Sequence, residues 1–121
     1  MRSVKFYALF KSAFLGLGVL FLTLCNPLFC EVRIVTTSPA LTELIFQLGH
    51  GEQIVAASHF SDYPKPAKSL PRIGSLFIPS IEKVLSFKPD WVVVDSEATP
   101  KTFAQQLESL EIKSLQISIH S

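Results

Sequence analysis

The chain has 121 residues, enough for one small domain and not two. Its 11 basic and 10 acidic residues nearly cancel, but Arg2, Lys5 and Lys11 all precede the first acidic residue, Glu31. Beyond residue 30 the balance is therefore eight positive against ten negative, a net of −2, which argues against a nucleic-acid binder with its basic patch.

The first thirty residues stand apart. Arg2, Lys5 and Lys11 form a positive leader, residues 13–24 are an almost unbroken apolar run, and Asn26-Pro27 breaks any helix continuing beyond it. That layout predicts a secretory signal peptide over residues 1–30. The run is shorter than the roughly 20 residues of a membrane span; a retained anchor, or acylation at Cys25 or Cys30, is the alternative. Both cysteines lie in the leader or at its edge, so a chain cut after Cys30 has no disulfide and no cysteine-based metal site.

Residues 33–49, RIVTTSPALTELIFQLG, set the pattern for the remaining chain. Ile34 and Val35 suit a buried strand, and Thr36, Thr37 and Ser38 interrupt it with hydroxyls. Ser38 is a natural N-cap and Pro39 fits the first helical position. Leu41, Leu44, Ile45 and Leu48 recur at helical spacing, and Gly49 supplies the stop. A helix N-terminus facing the carboxyl end of a strand is where open α/β sheets bind ligands, although a plain βα unit without a ligand has the same pattern.

Residues 54–57 read as a second strand. A long irregular passage, 58–78, carries Pro64, Pro66, Pro71 and Gly74, and its aromatics Phe60, Tyr63 and Phe77 argue against disorder. Ser80 caps the next helix, with Glu82 in its first turn and Ile81, Val84, Leu85 and Phe87 facing inward. Residues 91–94 form a third strand, apolar throughout. Thr99-Pro100 repeats the cap-and-proline device, Phe103, Leu107 and Leu110 line a third helix, and residues 112–119 alternate as a fourth strand. The order βαβαβαβ implies an α/β fold with a parallel sheet and right-handed crossovers. The sequence ends at Ser118-Ile119-His120-Ser121, where the alternation calls for another helix, so residues 31–121 are expected to be an incomplete lobe.

At Ser38-Pro39-Ala40-x-Thr42-Glu43, Ser61-Asp62-Tyr63-Pro64 and Lys88-Pro89-Asp90-Trp91-Val92-Val93 the chain resembles the periplasmic substrate-binding proteins of ABC importers for vitamin B12, haem and ferric siderophores. The resemblance runs over residues 32–120 and is nearest to the vitamin B12-binding members. It implies the Rossmann-like N-terminal lobe of a two-lobed protein, with a metal chelate held between the lobes. The chelate would then be handed to a permease driven by an ATPase in the inner membrane.

The same resemblance implies a periplasmic location and a ligand edge that includes Ser38, Phe60, Tyr63, Leu76 and Phe77. Leu76 is aliphatic where a relative has tryptophan. It also implies that Glu82 lies on the outer surface and meets arginines of the permease. For Phe60 and Phe77 the competing reading is that they pin a long loop to the core. His59 suits haem iron or cobalt, yet a lone histidine at a strand end equally serves as a surface or capping residue. Asp95 and Glu97 read as cleft-rim or capping residues without an acid–base partner.

There is no P-loop, no G-x-S-x-G, no H-E-x-x-H and no Cys–His pair, so no catalysis and no resident cofactor are expected. Three functions are open: the capture lobe of a B12, haem or siderophore importer, an enzyme on a small doubly wound scaffold, and a tethered or secreted interaction domain that no longer binds ligand.

Overall fold

The computed structural model describes residues 31–120; the leader assigned to residues 1–30 lies outside them. Four strands, β1 (Ile34–Thr36), β2 (Ile54–Ala56), β3 (Trp91–Asp95) and β4 (Ser114–Ile117), form one parallel sheet in the order β2-β1-β3-β4. Three helices, α1 (Pro39–Gln47), α2 (Ile81–Ser86) and α3 (Lys101–Ser109), alternate with them, as the hydrophobic pattern predicts. Two short 3-10 turns are added: Gly51–Gln53, where the sequence reads as a turn, and Lys65–Ser69, which was not legible in the pattern.

Local chemistry sets the helix ends. The Ser38 hydroxyl accepts from the Leu41 amide at 3.2 Å, with Pro39 at the first helical position. At the other end Gly49 adopts φ +83°. The His50 and Gly49 amides donate to Ile45 O and Phe46 O, both at 3.0 Å, which is a Schellman stop. Helix α2 is capped by Ser80, whose hydroxyl accepts from Lys83 N–H at 3.3 Å. The Arg33 guanidinium closes its far end by donating to Phe87 O at 2.8 and 3.0 Å, a cation placed at the negative pole of the helix.

Helix α3 departs from expectation. Pro100, not Thr99, is its N-cap, and no side chain caps it. Thr99 instead turns its hydroxyl to Thr37 at 3.1 Å, a tertiary partner that the local pattern could not reveal.

The two faces of the sheet are covered unequally. On one, Val35, Ala56, Val92 and Val94 pack with Ile73, Val84 of α2, and Phe103 and Leu107 of α3. Leu85 and Leu110, expected to face inward, are 42% and 47% exposed, because α2 and α3 are short and each buries only a narrow stripe. Strand β3 is buried from Val92 onward, but Trp91 at its entry is exposed.

On the opposite face α1 contributes the fully buried Leu41. Beside it runs an apolar groove of about 250 Å³, lined chiefly by Leu41, Leu44, Leu48, Val93, Leu115 and Ile117. The edge strand β4 is correspondingly half open, with Leu115 at 50% exposure.

Candidate functional site

At the carboxyl ends of the parallel strands three loops come together: residues 37–38 after β1, 57–80 after β2, and 96–100 after β3. Hydroxyl groups tie them. Thr42 Oγ1, in the first turns of α1, lies 2.7 Å from Thr36 Oγ1, 3.0 Å from Ser38 O and 3.2 Å from Ser61 Oγ. Ser61 Oγ in turn lies 3.0 Å from Ser58 Oγ. Thr37 Oγ1 accepts from the Asp95 amide at 3.0 Å and reaches Thr99.

All of these hydroxyl-bearing residues are buried, and no buried side-chain polar atom among the described residues lacks a partner. A buried polar group left unsatisfied costs about 1–3 kcal/mol, so a network filled this completely holds the βα turn and the long loop in one arrangement. Ser38, expected at the ligand, belongs to this network. It is only 1% exposed and its hydroxyl is engaged as a cap.

The long loop is built as two segments lying side by side. The first passes through Phe60 at φ +66°, in the left-handed region that a bulky side chain seldom occupies. A tight turn holds it there, with Ser61 N–H donating to Ser58 O at 3.3 Å and Asp62 N–H to Phe60 O at 2.9 Å. The Tyr63–Pro64 peptide bond is cis.

The second segment doubles back on itself between Ile73 and Ser80. Ser80 N–H donates to Ile73 O at 2.7 Å, and Gly74 bridges Pro79 in antiparallel fashion. The Ser75 hydroxyl and carbonyl both accept from Ile78 N–H, which puts Leu76 and Phe77 at the tip. His59 N–H donates to Gly74 O at 2.8 Å and joins the two segments.

The result is an aromatic platform. Phe60 is 82% exposed, Phe77 66% and Tyr63 65%, with Ile78 at 79% beside Phe77 and Leu76 half-buried behind it. Such exposure removes the reading in which Phe60 and Phe77 pin the loop to the core. Several large apolar side chains exposed on the loops at one end of the sheet are candidates for an interaction surface. His59 is exposed as well.

Among the described residues no group of three or more His, Cys, Asp or Glu side chains converges as a metal site. Asp95 serves as a cap, its Oδ1 accepting from the Glu97 and Ala98 amides at 3.1 and 3.4 Å. Glu97 has a partner that the sequence did not suggest: His120 Nδ1 lies 3.1 Å from its Oε1, and Ser118 Oγ donates to the same oxygen. Glu82 projects from the first turn of α2, exposed and without an ion pair among the described residues.

Sequence reasoning also missed Arg72. Its Nη1 donates to Ser58 O at 3.0 Å and Ser61 O at 2.9 Å. Nη2 donates to Asp62 Oδ1 at 3.1 Å, Ala67 O at 3.2 Å and Lys68 O at 3.4 Å. The only available signal was an arginine inside a proline-rich loop that stayed aromatic and ordered.

The comparisons agree with this architecture. The family model for periplasmic binding proteins matches residues 34–117. The vitamin B12-binding proteins of Pectobacterium carotovorum and Yersinia pestis are 35% and 36% identical over 80 residues, 66% of this chain and 29% of theirs. Among solved structures, the periplasmic haem-binding protein RhuT of Roseiflexus sp. RS-1 superimposes with a TM-score of 0.68 at 32% identity, over 73% of this chain and 34% of that one. The vitamin B12-binding protein BtuF of Vibrio cholerae gives 0.67 at 32%, over 69% and 33%. The chain thus spans about a third of the length of these relatives, which are binding proteins rather than enzymes. With a family match over nearly all of the described residues, and a parallel sheet in the same arrangement as its structural neighbours, the chain belongs to the periplasmic binding protein family.

Proposed function

We propose that this chain is the N-terminal lobe of a substrate-binding component of an ABC importer, and that its ligand is a flat metal chelate such as cobalamin or haem. The observation that carries the reading is the aromatic platform at the carboxyl edge of the sheet, with Phe60, Tyr63 and Phe77 turned outward on a loop held rigid from beneath. A planar macrocycle buries well against aromatic faces. Anionic ferric siderophores of the catecholate type fit less well, because such a chelate calls for convergent cations, and Arg72 is spent on backbone carbonyls and on Asp62. The vitamin B12- and haem-binding identities of the relatives support the same choice.

Residues 1–30 direct export to the periplasm in this reading, and the site is one wall of a cleft. Titration of the purified chain with cyanocobalamin, haemin and a ferric siderophore, followed by absorbance, tests it. Saturable spectral change with either macrocycle and none with the siderophore supports it; no saturable change with any of the three overturns ligand capture. That outcome would leave the second reading, an interaction domain that docks without ligand.

Docking falls to Glu82. A carboxylate in the first turn of a helix is worth about 0.3–1 kcal/mol to that helix, and Glu82 is free to point outward. If it meets arginines of the permease, Glu82→Lys weakens pull-down by the cognate permease about tenfold or more, since like charges then face each other. Its thermal stability falls only slightly. Binding that survives both Glu82→Gln and Glu82→Lys removes the docking role.

A further inference from the structure

We propose that Arg72 is the positioning residue of the ligand edge: its guanidinium clamps the 58–68 loop in the conformation that turns Phe60 and Tyr63 outward. The inference rests on the ligand-capture reading for its consequence and on geometry for its mechanism. The two carbonyls that flank Phe60, those of Ser58 and Ser61, converge on the single nitrogen Nη1, at 3.0 and 2.9 Å. Between them Phe60 holds φ +66°, a conformation that persists only where its surroundings over-determine it. The second nitrogen gathers the carboxylate of Asp62, just before Tyr63, and the carbonyls of Ala67 and Lys68 beyond it. One planar fork therefore grips the loop on both sides of both aromatic residues.

The base of the clamp is fixed independently of the loop. Arg72 pairs with Ala57 as a parallel bridge, with Ala57 N–H donating to Pro71 O at 2.9 Å and Ile73 N–H to Ala57 O at 3.0 Å. Ala57 follows β2 directly, and Ile73 is fully buried in the core. The side chain thus links the sheet to the aromatic platform, and its two terminal nitrogens are committed to the loop. Lysine cannot substitute: a compact ammonium on a flexible stem does not reach carbonyls on two sides of a loop as a rigid fork does.

The test compares Arg72→Lys and Arg72→Ala with Phe60→Ala/Tyr63→Ala and with the combined variants, each in the full chain. Hydrogen exchange resolved by residue is read first, because it needs no ligand. The clamp requires the Ser61 and Asp62 amides to exchange about tenfold faster or more in Arg72→Lys, while the β3 amides keep their wild-type protection. Unchanged loop exchange, or an increase shared equally by β3, overturns it.

Affinity for cyanocobalamin and haemin is read second. Arg72→Lys lowers it about tenfold in the wild-type background and has no further effect in Phe60→Ala/Tyr63→Ala, since groups acting as a unit are non-additive. An equal loss in both backgrounds means that Arg72 acts on the ligand directly, which overturns the positioning role. If Phe60→Ala/Tyr63→Ala alone leaves affinity untouched, the platform is not the ligand site and that reading fails, while loop exchange still decides the clamp. Should Arg72→Ala not fold, Arg72→Lys and Asp62→Asn carry the same comparison.

Discussion

Replacing Phe60 and Phe77 together by alanine is expected to lower affinity for a macrocyclic chelate by roughly ten- to a hundredfold, on the basis of about 0.5–1.5 kcal/mol for each aromatic contact beyond its buried area. The same double variant should leave thermal stability almost unchanged. Phe60 and Phe77 are 82% and 66% exposed, and substitutions at such sites stay within about 0.5 kcal/mol. Alanine keeps a Cβ at the φ +66° of Phe60, so the backbone strain there is the same in both. This separation of effects is the signature of a surface kept for a partner. Core aromatics behave oppositely, and truncating Phe103, only 3% exposed, belongs to the class of changes that cost about 3–5 kcal/mol. Absorbance titration and thermal denaturation, run on the same preparations, check both halves. A double variant that binds as tightly as wild type excludes the two side chains from the site, and one that melts far below it returns them to a packing role.

The second large effect is expected at Gly74. A Cβ added there would sit 2.7 Å from Ile78 O and 3.3 Å from Ser80 N, both backbone atoms that cannot swing aside, at φ +117°. Strain of that backbone type alone costs about 1–3 kcal/mol, and the clash adds to it. For a domain of this size each kcal/mol lowers the melting temperature by roughly 4–8 °C, so Gly74→Ala should be plainly visible in a thermal scan. It should also open the turn that carries Leu76 and Phe77 and weaken chelate binding with it. Gly49→Ala is the control. Its φ is +83° but a Cβ there meets nothing within 4 Å, so only the conformational strain applies and the loss should be markedly smaller. Equal melting temperatures for the two variants would mean that the tight fold-back of residues 73–80 does not limit stability.

Much of this architecture was legible in the chain. The strand, hydroxyl turn and capped helix at residues 34–49 are local devices, each written in neighbouring residues, and they form as the pattern predicts. The alternation of elements, and hence the parallel sheet, follows from the same periodicity. The differences arise where a distant residue decides.

Thr99 has the chemistry of a cap, but Thr37, on another loop, claims its hydroxyl. Leu85 and Leu110 have the right spacing to face inward, but how far a stripe is buried depends on what lies opposite, and in these helices only Val84, Phe103 and Leu107 are buried. Arg72 was invisible for the same reason. Apart from the Asp62 carboxylate, its partners are backbone carbonyls at residues 58, 61, 67 and 68, which no side-chain pattern records.

At the candidate site the sequence marked the loops that the fold brings to one edge and named the aromatics on them, since proline and aromatic content mark an ordered irregular segment. It could not distinguish side chains turned outward from side chains folded under, because that depends on the φ +66° turn at Phe60 and on what holds it. Ser38 shows the converse. Its position at a helix start facing a strand end suggested a ligand contact; the sequence could not show that it is buried beside a network of threonine and serine hydroxyls.

The ligand is expected on the aromatic edge and not elsewhere, and the apolar groove beside α1 is the natural competitor for a greasy macrocycle. Amide spectra of the ¹⁵N-labelled chain, recorded while cyanocobalamin is added, separate the two most directly. Saturable shifts clustered at Phe60, Tyr63 and Phe77 and their immediate neighbours are the predicted result. Shifts confined to Leu44, Leu48 and Leu115, with the aromatic loop unmoved, would contradict it.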